Sequence, residues 1–163
     1  MIVEVDGRQA HGATGGVEPT GDDPAMILVH GAGMDATVWH QQTRFLAHRN
    51  LRPVAVDLPG HGRSEGPPLT TIADMAHWVA RFMDAAGLAP AHVVGHSMGS
   101  FVALELARHH PHMATSLVLL GTAIAMPVHP DLLQASIDDL DKAAALMASW
   151  GHAKPAHVGH NPT

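Results

Sequence analysis

The chain contains no cysteine. Disulfides, thiolate nucleophiles and cysteine-type zinc sites are thereby excluded, and a reducing compartment suits it. Lysine is almost as scarce, represented by Lys142 and Lys154 alone, and the arginines are scattered singly. With a formal net charge of −6, this leaves no basic patch for a phosphate backbone, so nucleic acid is not an expected partner. The opening MIVEVDGRQ carries acidic residues where a signal peptide has basic ones before a long apolar stretch. The longest apolar run, LVLLGTAIAMPV at 117–128, is shorter than the roughly 18 residues of a membrane span. A soluble, cytoplasmic protein without membrane contact is the expectation.

What is present suits a globular chain. Hydrophobic residues make up 46% and charged residues 15% of 163, enough for one domain with a sizeable core. Fifteen histidines invite metal readings. The densest group is HHPH (His109, His110 and His112), but Pro111 breaks a helix there and no carboxylate stands at ligand spacing. These read as solvated histidines at the negative end of a helix dipole, as do His157 and His160 in the tail. Neither a metal nor an organic cofactor is expected.

Short apolar runs alternate with longer amphipathic stretches, the pattern of an α/β protein with a mostly parallel sheet and helices on both faces. MIVEV is a first strand that residues 8–12 can pair with, and 12–23 form a Gly/Pro/Asp loop. MILVH (26–30) is a buried strand because it is continuously apolar. A helix is expected over 37–48 with Val38, Trp39, Phe45 and Leu46 on one face, and a strand over 51–57. The clearest helix covers 71–86, capped by Thr71 and closed by Gly87 and Pro90. A strand at 92–95, a helix at 98–109 that is apolar on almost every side except Glu105 and should be buried against the sheet, and a strand at 116–121 follow. Residues 130–150 read as one or two helices.

The chemistry sits in three loops. Gly95-His96-Ser97-Met98-Gly99 is a G-x-S-x-G between a strand and a helix. Such a turn lifts the serine hydroxyl off the sheet, the glycines let strand and helix approach, and the Met98 amide faces the reacting centre with a helix dipole behind it. Strain at the serine costs about 1–3 kcal/mol and persists where function selects it. On this reading the loop HGAGMD (30–35) supplies a second oxyanion donor at the Ala32 amide. The loop DLPGHGRS (57–64) is scaffold, with Asp57 fixing it.

With HG at 30–31, DLPGHGRS at 57–64 and GHSMG at 95–99, the stretch 24–121 resembles the α/β-hydrolase family of serine esterases and lactonases. The resemblance implies an eight-stranded, mostly parallel sheet, a Ser-acid-His triad, ester-type hydrolysis and a helical cap after the sixth strand. Residues 1–121 would be the N-terminal part of the core and 122–163 the start of the cap. Ser97 is the implied nucleophile and Ala32 and Met98 the oxyanion donors, with His30, Gly31, Gly95, His96 and Gly99 in structural roles. Met126 and Trp150 are possible pocket residues, as is Met98, although core packing suits each. Trp39 and Trp78 read as core.

The triad runs Ser, acid, His in this family, and the sequence stops within the expected cap. Strands seven and eight are therefore expected to be absent, and GTAIAMPV after strand six holds no carboxylate. Asp131, Asp138, Asp139 and Asp141 look like solvated helix faces, and His96, His129, His152, His157 and His160 are poor stand-ins for the base. The expectation is a C-terminal companion fragment carrying acid and histidine, and an inactive isolated chain with a bared sheet edge. Two other readings stay open. Gly31-Ala32-Gly33-Met34-Asp35-Ala36 followed by Asp57 fits a dinucleotide-binding pattern, against which Asp35 sets a negative charge at the pyrophosphate position. A non-catalytic hydrolase-fold ligand-binding protein is the other. A small ester, lactone, thioester or other acyl compound is the expected substrate.

Overall fold

The computed structural model describes residues 1–17 and 23–151. Continuous apolar runs become the middle of a sheet, because only a strand covered on both faces tolerates them. Strands β3 (Ala25–Val29), β4 (Arg52–Val56), β5 (Ala91–His96) and β6 (Ala114–Leu120) pair in parallel, and the hairpin β1 (Ile2–Val5) and β2 (Arg8–Thr14) adds antiparallel to β4. The order is β1-β2-β4-β3-β5-β6, and among the described residues the sheet ends at β6.

Alternation along the central strands divides the core in two. Ile27, Val29, Val54, Val56 and Val93 face α2 (Ile72–Ala85) and α3 (Met98–His109), with Phe82, Met83 and Leu106 filling the space between. Leu28, Ala55 and Val94 face the opposite way, onto Trp39 and Ala36 in a 3-10 turn (Ala36–Trp39) that leads into α1 (His40–Ala47). Each large side chain fully withdrawn from water contributes about 1.5–3 kcal/mol, so this two-sided burial is what holds the sheet. Helix α2 starts where Thr71 accepts the Asp74 amide at 3.0 Å. Trp39 and Trp78 are core residues, each 6% exposed.

One expected face differs in part. Val38 and Phe45 are 44% and 56% exposed, because the segment begins as 3-10 and the tighter winding shifts the helical phase. Trp39 and the half-buried Leu46 pack inward as expected, Thr43 and Ala47 join them in place of Val38 and Phe45, and the Arg49 guanidinium lies 4.2 Å from the Phe45 ring centre. Helix α3 packs against the sheet as expected, burying Gly99, Ser100, Val102, Ala103 and Leu106 there while Leu104, Arg108 and His109 are exposed. Strand β6 begins at Ala114 and β5 at Ala91, each a little earlier than expected.

The chain falls into two compact units, Met1–Thr122 and Ala123–Thr163. In the second, α4 (Pro130–Asp138) is capped by His129, whose Nδ1 accepts the Asp131 amide at 3.2 Å, and α5 (Leu140–Gly151) follows. Asp131, Asp138, Asp139 and Asp141 are all exposed. No helix among the described residues is long and apolar enough to cross a membrane.

Candidate active site

Parallel strands bring their carboxyl ends to one edge of the sheet, and in open α/β sheets that edge takes the ligand. Register aligns Val29 with Val56 and with Gly95, so the residues that follow β3, β4 and β5 emerge together. These are His30, Asp57 and, one residue beyond His96, Ser97.

Ser97 has φ 52° and ψ −119°, a conformation L-residues rarely hold, at the cap position of α3. Both of its backbone polar groups are satisfied, which offsets the strain. Its N–H donates to the Leu120 carbonyl at 2.8 Å, and its carbonyl accepts from the Ser100 amide at 2.9 Å and the Ser100 hydroxyl at 2.5 Å. The neighbouring glycines leave no room for a side chain. A Cβ on Gly95 would lie 2.2 Å from the Gly99 carbonyl oxygen, and one on Gly99 would lie 2.4 Å from that of Val29. Strand β5, helix α3 and strand β3 thus touch backbone to backbone beneath the serine.

The loop after β3 comes against the same turn. A Cβ on Gly31 would meet His96 Nδ1 at 3.2 Å and the Ser97 Cβ at 3.3 Å. His30 is fully buried and takes a defined tautomer: Nδ1 donates to the Gly31 carbonyl at 2.8 Å and Nε2 accepts the Leu58 amide at 3.3 Å. Burial lowers its pKa below 6.5, against the raising effect of the Gly31 carbonyl, and nearby His61 lowers it further. The Gly31–Ala32 peptide is trans, so the bonds that hold the Gly31 carbonyl, from His30 and from the Met34 amide at 3.3 Å, also fix the Ala32 N–H that points the other way. Ala32 is exposed, and Met98 is half-buried against the core at the head of α3.

Asp57 holds the loops together. Its carboxylate accepts the Ala36 amide at 2.6 Å and the Arg63 amide at 3.0 Å, and His11 Nδ1 lies 2.7 Å away. Ser64 adds a bridge, accepting the His11 amide at 2.9 Å and donating to the Asp57 carbonyl at 2.6 Å. At 2% exposure, with these partners, the Asp57 carboxylate is unavailable to a ribose, which removes the acid the dinucleotide pattern requires.

Sequence reasoning missed His11, Ser64, Ser100 and Gly121. A Cβ on Gly121 would come within 3.7 Å of the His96 ring, which stands edge-on to Trp39 with ring centres 6.3 Å apart. Gly121 follows β6 at φ 60°, and a glycine directly after an apolar strand was the signal available for it. Among the described residues, no histidine is hydrogen-bonded to the Ser97 hydroxyl. Met126 is half-buried, and Trp150 is 51% exposed with its ring centre 5.1 Å from that of His129. His152, His157 and His160 lie outside the described residues. A cleft of about 270 Å³ lined by Arg8, Glu65 and Trp78, among others, contains none of the residues 95–99.

The model of the alpha/beta hydrolase fold family matches residues 24–161, and the chain belongs to that family. It is 44% identical over 123 residues to the dihydrolipoyllysine-residue acetyltransferase component of the acetoin cleaving system of Cupriavidus necator, covering 74% of this chain and 31% of that protein. It is 38% identical over 143 residues to the lipase LipV of Mycobacterium tuberculosis, covering 81% of this chain and 54% of the lipase. The solved structure of a thermophilic esterase aligns with a TM-score of 0.77 at 29% identity, over 91% of this chain and 54% of the esterase. The chain therefore spans from about a third to just over half the length of these relatives.

Proposed function

We propose that the chain carries the nucleophile and oxyanion machinery of a serine hydrolase acting on carboxylic esters or related acyl compounds. The strained Ser97, seated between two glycines and pressed against the Gly31 loop, carries the reading. Ser97 Oγ attacks the substrate carbonyl, and the Ala32 and Met98 amides hold the oxygen that becomes negative. The alcohol leaves, an acyl-enzyme forms on Ser97, and water releases the acid. One such oxyanion donor is worth about 2.7–4 kcal/mol of transition-state stabilisation.

In this reading the general base and its acid come from the part of the family's length that these 163 residues do not span, and residues 122–163 begin the cap. The lipase and esterase among the similar proteins support an ester as substrate. A cytoplasmic site of action remains part of the proposal, resting on the cysteine-free composition. The free Ser97 hydroxyl also favours a second reading, a hydrolase-fold protein that binds an acyl ligand without turning it over.

A fluorophosphonate probe and p-nitrophenyl acetate test both. Turnover by the 163-residue chain supplemented with the C-terminal half of a family relative, abolished in Ser97→Ala, supports the hydrolase. Without that half, turnover should fall by roughly the million-fold that loss of a triad histidine costs. Absence of both Ser97 labelling and turnover in the supplemented sample would leave the ligand-binding reading.

A further inference from the structure

Helices α2 and α3 pack side by side, and where they meet, four imidazoles gather. His77 projects from α2, His109 and His110 end α3, and His112 follows. The HHPH run had been expected to be solvated, yet His110 is half-buried and its Nε2 lies 2.8 Å from His77 Nδ1, across 33 residues of sequence. The two rings stand at 88° with centres 5.0 Å apart, and the His112 ring centre is 6.3 Å from that of His110.

In this pair one ring nitrogen donates its N–H to the lone pair of the other. When the donor ring shifts that proton to its second nitrogen, each facing nitrogen has a lone pair and a divalent ion can take the proton's place between them. Tetrahedral zinc at about 2.0–2.1 Å from each nitrogen holds two ligating nitrogens about 3.3 Å apart, so the pair opens by roughly half an ångström. We propose that His77 and His110 form a two-imidazole site for a divalent ion of the zinc, nickel and copper class, with His112 turning in to complete it.

The neighbours define the ligand set. His109 is excluded although its ring centre is 4.9 Å from that of His77, because Arg108 contacts its Nε2 and Glu105 lies 3.4 Å from the same nitrogen. The Arg108–Glu105 pair, with Nε to Oε2 at 2.5 Å, occupies both of those charges. Among the described residues no three His, Asp or Glu side chains stand ready around one metal position, so the third ligand depends on rotation of His112 and water completes the shell. The donors at this place are imidazole nitrogens rather than carboxylate oxygens, which favours these ions over magnesium or calcium. A bound ion would join two helices that otherwise meet through side-chain packing.

The test is isothermal titration of the metal-free chain with zinc chloride, beside nuclear magnetic resonance of histidine ring protons during addition of copper(II). The expected result is one zinc per chain at micromolar affinity, tighter copper binding, a zinc-dependent rise in Tm, and first broadening at His77 and His110. H77Q/H110Q should lower the affinity by at least the roughly tenfold that loss of a mere outer-shell partner costs at metal sites. H152Q/H157Q/H160Q should leave it unchanged. Unchanged affinity in H77Q/H110Q, zinc binding weaker than millimolar, or broadening centred on other histidines would overturn the proposal. If the double variant fails to fold, the copper broadening in the unaltered chain decides alone.

Discussion

Ser97 is held in its unusual conformation by what surrounds it rather than by its own preferences. The carbonyl of Leu120 and the amide and hydroxyl of Ser100 fix its backbone, and the absence of side chains at Gly95 and Gly99 lets three backbone segments meet beneath it. Gly95→Ala should therefore do more than restrict the chain. Its Cβ would overlap the Gly99 backbone, and overpacking of this kind costs about 1–3 kcal/mol or more. Gly16→Ala, with φ 74° and open space around it, should lose only the roughly 1 kcal/mol of a left-handed conformation. Urea midpoints compare the two, and equal shifts would show that the contact at Gly95 is relieved at little cost. His30 makes a second prediction at this scale. Its folded-state pKa lies below its ordinary 6.5 because burial disfavours the charged ring. As pH falls through that value the unfolded chain takes up the proton first, so stability decreases and then levels once the folded ring is also protonated. Subtracting the stability–pH curve of His30→Asn from that of the unaltered chain should isolate a fall below pH 6.5, and a flat difference would sink the assignment.

At the scale of elements, one buried carboxylate joins the loops after β3 and β4 to each other and to strand β2. Asp57 joins the amides of Ala36 and Arg63 to His11, so it ties together the 3-10 turn, the 57–64 loop and β2. Asp57→Ala leaves these buried groups without their acceptor and should cost on the order of 3–5 kcal/mol. Amide exchange at Ala36 and Arg63 should accelerate far more than at Leu28, whereas a uniform increase would show that Asp57 supports the fold generally and not these loops. Much of this arrangement was legible beforehand. The strands and helices were, because both-face burial writes continuous apolar runs and helix burial writes a 3.6-residue period. The strand–turn–helix around Ser97 was too, since Gly95, Ser97 and Gly99 lie within five residues. His11 with Asp57 and Ser64 was not, because those contacts join positions 46 and 53 residues apart and depend on how β2 docks. Val38 and Phe45 were misread for another reason: a 3-10 start is invisible to a pattern that assumes α-helical spacing throughout. The His77–His110 pair likewise needed the packing of two helices to come into view.

For the whole molecule, the two units differ in how much they bury. In Met1–Thr122, the central strands are withdrawn from water on both faces, with Ile27, Leu28 and Val29 at 0–1% exposure. In the described part of the second unit, α4 and α5 have nine and twelve residues and bury only Ala135 and Ala143, while Leu133, Ile137, Leu140 and Trp150 are exposed. Helices shorter than about 12–15 residues are marginal by themselves, and burial of an alanine methyl contributes little, about 0.8 kcal/mol per carbon. Stability should therefore be unevenly distributed, higher in the densely buried first unit than in the sparsely packed second. Native-state hydrogen exchange should find the amides of α4 and α5 exchanging by local opening, orders of magnitude faster than those of β3 and β5. Ala143→Gly, which removes that methyl and adds roughly 1 kcal/mol of helix penalty, should weaken protection across α4 and α5 and leave β3 unchanged. Equal protection in both units, lost together in Ala143→Gly, would instead mean that they unfold as one cooperative body and that the exposed side chains of α4 and α5 contribute more than their burial indicates.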